Sequence, residues 1–323
     1  TWNHTRGLVP MVAAAQRFEE LNPGVRISWK KRSLQEFADQ PLAELGARYD
    51  LLVIDHPWAG FAATSGVLTP MEELVSAEFL ADQAANSVGP SYESYRYGDR
   101  TWALPIDAAT PVASSRADLL ERAGESVPAT YEELLALARK GLVIMPGIPQ
   151  DTIMNFYMFC ELPGSDLFAS DEVVVSDEIG IAALERMREL ALLMPREIFD
   201  WNPIAVYEAM TRGHDYAYCP WAYGYSNYAR AGYARAILHF GDVVSLDGVP
   251  LRTTLGGTGL AVSSGCEHPD LAGAYAELVA GPEYQRTQFV ENGGQPGHRA
   301  AWTDAENDRR TNGYFRNTLP CLD

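Results

Sequence analysis

The chain has 323 residues, 47 % hydrophobic and 21 % charged, with 25 basic against 43 acidic side chains and a formal net charge of −18. That length accommodates two lobes with separate cores, and that composition excludes a disordered chain. The acidic excess excludes nucleic acid and anionic membranes as partners, and no run approaches the roughly 18 apolar residues of a membrane span.

From Val9 to Leu21 the apolar groups recur at helical spacing, and Asn22-Pro23-Gly24 stops them. Val25–Trp29 reads as a strand and Leu34–Leu45 as a second helix. The apolar run from Tyr49 to Ile54 ends abruptly at Asp55-His56-Pro57-Trp58, the pattern of a buried parallel strand with a loop at its carboxyl end. Helix, strand, helix, strand is the alternation of a doubly wound α/β layer. Ligands bind outside the carboxyl ends of such strands, where Asp55, His56 and Trp58 fall.

A second unit begins beyond Trp102–Asp107. Thr130 and Glu133 form a capping box that opens a helix over Tyr131–Arg139. Helices are also predicted over Ile179–Leu193, ahead of Pro195, and over Ala272–Val279. Val243–Ser263 reads as β-rich with an interruption at Gly256-Gly257, and Gly293–Gly297 reads as a loop. The sequence has no repeat, low-complexity tract or Pro/Ser-rich linker, so two lobes would be joined by short crossings.

Aromatic side chains concentrate between Gly213 and Asn227, at Tyr216, Tyr218, Trp221, Tyr223 and Tyr225. The alternation at Tyr216–Tyr218 predicts a strand that breaks at Cys219-Pro220, leaving a loop to present Trp221, Tyr223 and Tyr225. Rigid rings fill cores and also stack on small polar ligands. Most of these tyrosines are expected in the core, and Trp221 at a ligand. The 6 histidines show no metal-ligand spacing, and there is no GxSxG elbow or Walker loop. The glycines at Gly256-Gly257-Thr258-Gly259 lack the lysine of a phosphate loop and read as a close backbone approach. Asp55, Asp107, Asn155 and Gln295 suit the hydroxyls of a neutral polyhydroxylated molecule, with Trp58, Trp221 and Tyr223 stacking on its C–H faces. Two alternatives use the same residues: a glycosidase pairing Asp55 with Asp107, or an aromatic cage beside them for a quaternary ammonium or other cation.

Segments in fixed order resemble the extracellular solute-binding proteins of bacterial sugar ABC transporters, the group that includes maltose-binding protein. Ala13–Lys30 looks like that family's opening helix and second strand. Tyr49–Leu74 looks like its next strand, binding loop and following helix, and Tyr97–Asp107 like its "Ala-Leu-Pro" hairpin. Arg116–Ala138 matches its "Pro-x-Thr-Trp-x-Glu-Leu" segment, and Cys219–Asn227 sits at its "Gly-Pro-Trp". The resemblance implies a periplasmic-binding-protein type II fold: two doubly wound α/β lobes, joined by hinge crossings, with a cleft between. Residues 1–108 plus 253–294 would form the first lobe and 112–248 plus 298–323 the second. The hinges would lie near 109–111, 249–252 and 295–297.

Carried over by position, the cleft would be lined by Asn3, His4, Asp55, His56, Trp58 and Asp107, with Asn155, Tyr157, Trp221 and Tyr223 from the second lobe. Gly256, Gly257 and Gln295 would complete it near the crossings. Cys219 replaces the family's glycine before Pro-Trp, and the stretch from Gly141 to Asn155 lacks its glycine-rich segment. The bulky Asp55–Trp58 loop implies a small ligand such as a monosaccharide or polyol. The implied function is the monomeric receptor of an ABC importer, without cofactor or metal, that closes on its ligand and passes it to permease subunits. A sensor receptor partnered with a signalling protein would share the fold. An exported protein, periplasmic or otherwise extracytoplasmic after removal of a signal, agrees with a chain that starts at Thr1. Export in turn raises the expectation of one or two disulfides among Cys160, Cys219, Cys266 and Cys321, with three full pairings open.

Overall fold

The computed structural model describes residues 1–162, 165, 167, 168, 170 and 172–323. Its first helix, α1 (Thr5–Leu21), buries Met11, Ala14, Ala15 and Phe18 and ends at Asn22, where the sequence places the stop. His4 caps it, Nδ1 accepting from the Arg6 N–H at 3.0 Å. The helix predicted over Leu34–Leu45 divides into α2 (Leu34–Asp39) and α3 (Leu42–Gly46). Pro41 causes the division: it has no N–H for the helical ladder, and its ring would clash with the preceding turn. α4 (Trp58–Ser65) follows the loop after Ile54. The strand expected at Val25–Trp29 does not form. That segment alternates between partial burial and solvent, and beyond it a single parallel bridge joins Arg32 to Trp2.

The remaining predicted helices are present as α5 (Tyr131–Ala138) and, beyond a helix that the sequence does not predict, α6 (Pro149–Cys160), as α7 (Asp177–Ala191) and α8 (Pro269–Ala280). α5 carries the expected capping box, with Thr130 and Glu133 satisfying each other's N–H groups.

Two sheets organise the chain. Their strands, in order, are β1 (Leu51–Ile54), β2 (Leu68–Thr69), β3 (Leu104–Ala109), β4 (Pro111–Ser115), β5 (Tyr218–Tyr223), β6 (His239–Gly241) and β7 (Gly256–Ser263). In the first sheet β1, β2 and β3 all run antiparallel to β7, pairing Ile54 with Gly259, Thr69 with Val262 and Leu104 with Leu260. β1 is therefore buried as expected but antiparallel to its ladder partner. An apolar run records burial on both faces and carries no information about the direction of a neighbour some two hundred residues later in the chain. The glycines at 256 and 257 begin β7 and do not interrupt a strand. In the second sheet β4 lies between β5 and β6, both antiparallel to it.

β5 also departs from expectation by continuing through Pro220. The register shifts here, so that Pro220 and Trp221 together oppose Ala113. Such a bulge accommodates a proline because the ladder needs no N–H at that point.

Each sheet has its own core. One gathers Phe18, Val53, Leu104, Leu260, Tyr275 and Phe289. The other gathers Leu134, Phe159, Tyr218, Trp221, Phe240 and, from the end of the chain, Trp302 and Phe315. All four cysteines are free, so none of the three pairings forms, and Cys160 and Cys219 serve as small apolar groups in the second core.

Only Thr110 separates β3 in the first sheet from β4 in the second. Its hydroxyl meets Thr253 Oγ1 at 2.5 Å and donates to the Thr254 carbonyl at 3.1 Å, tying it to the segment that returns to β7. Gln295 braces the same place, donating to the Ala108 carbonyl at 2.8 Å and accepting from the Ser226 N–H at 2.9 Å. Arg6, buried on α1, completes the junction. Its Nε donates to Asp107 Oδ2 at 2.8 Å, its Nη2 pairs with Oδ1, and its Nη1 donates to the Gly224 carbonyl at 2.7 Å. Replacing Asp107 with Ala leaves this guanidinium buried and unpaired, with an expected loss of about 3–5 kcal/mol of stability in chemical denaturation. A loss below about 1 kcal/mol would show that the junction does not depend on the pair.

Candidate functional site

The first-lobe half of the candidate site follows β1. Asp55 and His56 leave the strand at its carboxyl end, and Trp58 starts α4 with its ring edge-on to Phe61, centroids 5.7 Å apart. All three are partly buried. Among the described residues no hydrogen bond holds the Asp55 carboxylate, which burial and charge alone perturb. Burial, then the charge of Asp107, pushes its carboxyl up to about 7, against the pull of Arg32 and Arg6. Burial also lowers His56, which keeps it neutral, and its ring meets Tyr95 edge-on. Tyr95 is buried and donates to the Ile54 carbonyl at 3.3 Å, so it steadies the end of β1.

The opposing half comes from α6 and β5. Pro149 stands at the first helical position of α6, where a missing N–H does no harm. Asp151 then falls in the first turn, and Asn155 lies one turn further on the same face. Both are nearly sealed, at 5 % and 6 % exposure. Burial alone acts on Asp151, pushing its carboxyl up to about 7 with no cation or donor to offset it. The field of Asp151 reaches Cys219, Tyr223 and Tyr225. Tyr223 also feels Asp55, so the ring stands within reach of a carboxylate from each half.

Two glycines make that placement possible. A Cβ on Gly256 would lie 2.4 Å from the Tyr223 ring, and one on Gly257, with φ +106, would lie 2.2 Å from the Asp107 carbonyl oxygen. The Tyr223 hydroxyl meets Thr254 Oγ1 at 3.0 Å, which fixes the ring against the crossing.

Other sequence candidates sit elsewhere or are engaged. Asn3 is exposed. His4 contacts Tyr225 edge-on at 4.7 Å and Tyr233 through Nε2 at 3.1 Å. Burial, then Arg6, lowers it to about 3, so it is a neutral bridge between the halves. Asp107 and Gln295 have their side-chain groups occupied within the junction. With both Asp107 oxygens on Arg6, Asp55 and Asp107 do not form a free carboxylate pair. Tyr157 turns away from Asn155 and packs on Phe168, centroids 5.3 Å apart. Trp221 is 1 % exposed and lies edge-on to Phe159. With Thr152, Asn155, Met187 and Ile198 it lines a cavity of about 230 Å³ inside the second half, and its Nε1 has no partner. Asp151 and Tyr95 are additions that sequence reasoning missed, whereas Tyr225 is among the residues that the aromatic loop is expected to present. Only the four-residue spacing of Asp151 and Asn155 would have marked the first of them. Among the described residues no cluster of His, Cys, Asp and Glu is able to hold a metal ion.

Residues 13–301 match the family described as bacterial extracellular solute-binding protein. The chain belongs to that family. Solved structures of similar solute-binding proteins agree in fold. An ABC transporter solute-binding protein from Agrobacterium radiobacter K84, in complex with ribitol, matches with a TM-score of 0.82 at 18 % identity, over 99 % of this chain and 84 % of that one. Maltose-bound MalE3 of T. maritima gives 0.79 at 17 %, over 98 % and 86 %. A solute-binding protein from Thermotoga Lettingae TMO bound with alpha-D-tagatose gives 0.78 at 20 %, over 96 % and 83 %. The present solute-binding protein thus has the two-lobed α/β fold. No helix among its described residues is long and apolar enough to cross a membrane.

A raised carboxylate carries a cost in this solute-binding protein. With the folded value near 7 and the unfolded value near 3.8, the folded state binds the extra proton, so Asp151 lowers stability as pH rises through that interval. Asp151→Asn is therefore expected to raise unfolding stability at about pH 8 by on the order of 1–3 kcal/mol, with the gain shrinking towards about pH 4. Thermal melts across that range check it; a destabilised variant at high pH would mean that Asp151 has a partner.

Proposed function

We propose that this protein is the substrate-binding receptor of a bacterial ABC importer, exported from the cytoplasm, which captures a small polyhydroxylated solute and hands it to the permease. Its lobes are residues 1–108 with 253–294 and 112–248 with the C-terminal segment, hinged where the chain crosses at Thr110, before β7 and at Gln295. The solute contacts both lobes only when they close, so binding shifts an open–closed equilibrium, and no bond is broken.

The observation that carries this function is a pair of carboxylates, one from each half, with no hydrogen-bond partner among the described residues. Asp55, partly buried, stands in the first, and Asp151, nearly sealed, in the second. Buried polar groups are ordinarily hydrogen-bonded, and a ligand rich in hydroxyls would satisfy these. The rings of Trp58 and Tyr223 offer apolar faces beside them. Ribitol, maltose and tagatose in the similar proteins support the same ligand chemistry.

Thermal-shift measurements against monosaccharides, polyols and disaccharides test this directly. A true ligand at a hundredfold its dissociation constant is expected to stabilise by about 2.7 kcal/mol. Trp58→Ala should weaken that binding by on the order of 1–3 kcal/mol while leaving the unliganded melt nearly unchanged. A panel that gives no shift, or a sugar that is converted to product, would contradict the receptor function.

A further inference from the structure

The three carboxylates around Tyr223 and Tyr225 are not equivalent. Asp107 is gripped by two nitrogens of Arg6. Asp55 is attracted by Arg32 and Arg6, though Arg32 itself donates to the carbonyls of Glu36 and Val53 at 3.4 and 3.5 Å. Asp151 has neither an ion pair nor a hydrogen bond among the described residues, and it is 5 % exposed. His4 and His56 are both held neutral by burial. When ionised, Asp55, Asp107 and Asp151 outnumber Arg6 and Arg32 by one charge, and Asp151 is the carboxylate with no cation beside it among the described residues.

A hydroxyl group donates a hydrogen bond to such a carboxylate but leaves its charge in place; an ammonium cancels the charge as well. Uncompensated buried charge is costly enough that a partner from outside the chain is the economical explanation for keeping Asp151. The ring of Tyr223, which feels the field of the same carboxylate, favours a cation over an anion, whereas the Tyr225 ring already covers the Arg6 guanidinium. Asn155, one turn along α6 and without a side-chain hydrogen bond among the described residues, supplies both a donor and an acceptor for a neighbouring hydroxyl. The net charge of −18 attracts cations at long range.

We infer that the captured solute carries one positive charge on a hydroxylated skeleton, as an amino sugar or amino polyol does, with its ammonium against Asp151 and its hydroxyls towards Asp55 and Asn155. This specificity rests on the receptor function proposed above. It also differs from an aromatic cage built on Asp55 and Asp107, because Arg6 already occupies the second of those.

Calorimetric titration of the full chain near neutral pH, comparing glucosamine with glucose and N-acetylglucosamine, and glucamine with sorbitol, tests it. Each free amine is expected to bind about tenfold or more tightly than its uncharged counterpart, the scale of one charge-assisted hydrogen bond. The preference should vanish in Asp151→Asn and persist in Asp151→Glu, with circular dichroism confirming that both variants fold. Uncharged sugars binding as tightly as the amines, or a preference unchanged in Asp151→Asn, would overturn the inference and leave the receptor function standing. Binding by no amine, sugar or polyol would remove the receptor function and the inference together.

Discussion

The buried guanidinium of Arg6 is the constraint on which the arrangement depends. It sits on the first helix, yet it holds the end of β3 through Asp107 and the start of the aromatic loop through the Gly224 carbonyl. Elements from three distant parts of the sequence are thereby fixed at the point where the chain leaves one sheet for the other. A lone cation there would be prohibitively costly, and the bidentate carboxylate makes its burial tolerable. The Tyr225 ring lies 4.7 Å from the same guanidinium and covers it from the second lobe. The junction between the two sheets is therefore electrostatically closed, and its polar groups belong to the scaffold.

Polar groups on either side of that junction are in the opposite condition. Thr110, Thr253, Thr254 and Gln295 hold hydrogen bonds within the chain, whereas the carboxylates of Asp55, partly buried, and Asp151, nearly sealed, have no donor among the described residues. A protein selected for stability alone would fill these positions with apolar or neutral groups. Keeping them lowers the stability of the unliganded state, and under the receptor function proposed above their hydrogen-bonding capacity serves the solute. Tyr95, bonded to the Ile54 carbonyl, steadies the end of β1 from which Asp55 departs.

Local chemistry was legible in the sequence wherever it acts within a few residues. The Thr130/Glu133 cap, the Asn22 stop and the helices at 131 and 179 all follow from side chains bonding to their own neighbouring backbone, and the helix at 272 has Pro269 at its first turn. The family resemblance carried the larger architecture, which the family match and the fold comparisons bear out. What depended on distant partners was not legible. β1 is antiparallel because its partner arrives from residue 256 onwards, and Pro220 stays inside a strand because a bulge opposite Ala113 releases it from the ladder. Asp107 was expected at the ligand, because its engagement by a residue a hundred positions earlier was not visible in the sequence. Asp151 looked like an ordinary first-turn acid, since the absence of a partner is a property of three-dimensional space alone.

The central claim is that a single solute joins the two halves of the molecule, and amide hydrogen exchange with and without the tightest-binding sugar, polyol or amino derivative measures this most directly. Slowed exchange in both Asp55–Ala62 and Asp151–Tyr157 upon binding is the expected result, because closure over a shared ligand protects the two faces together. Protection confined to one of these segments, or located away from both, would contradict the account.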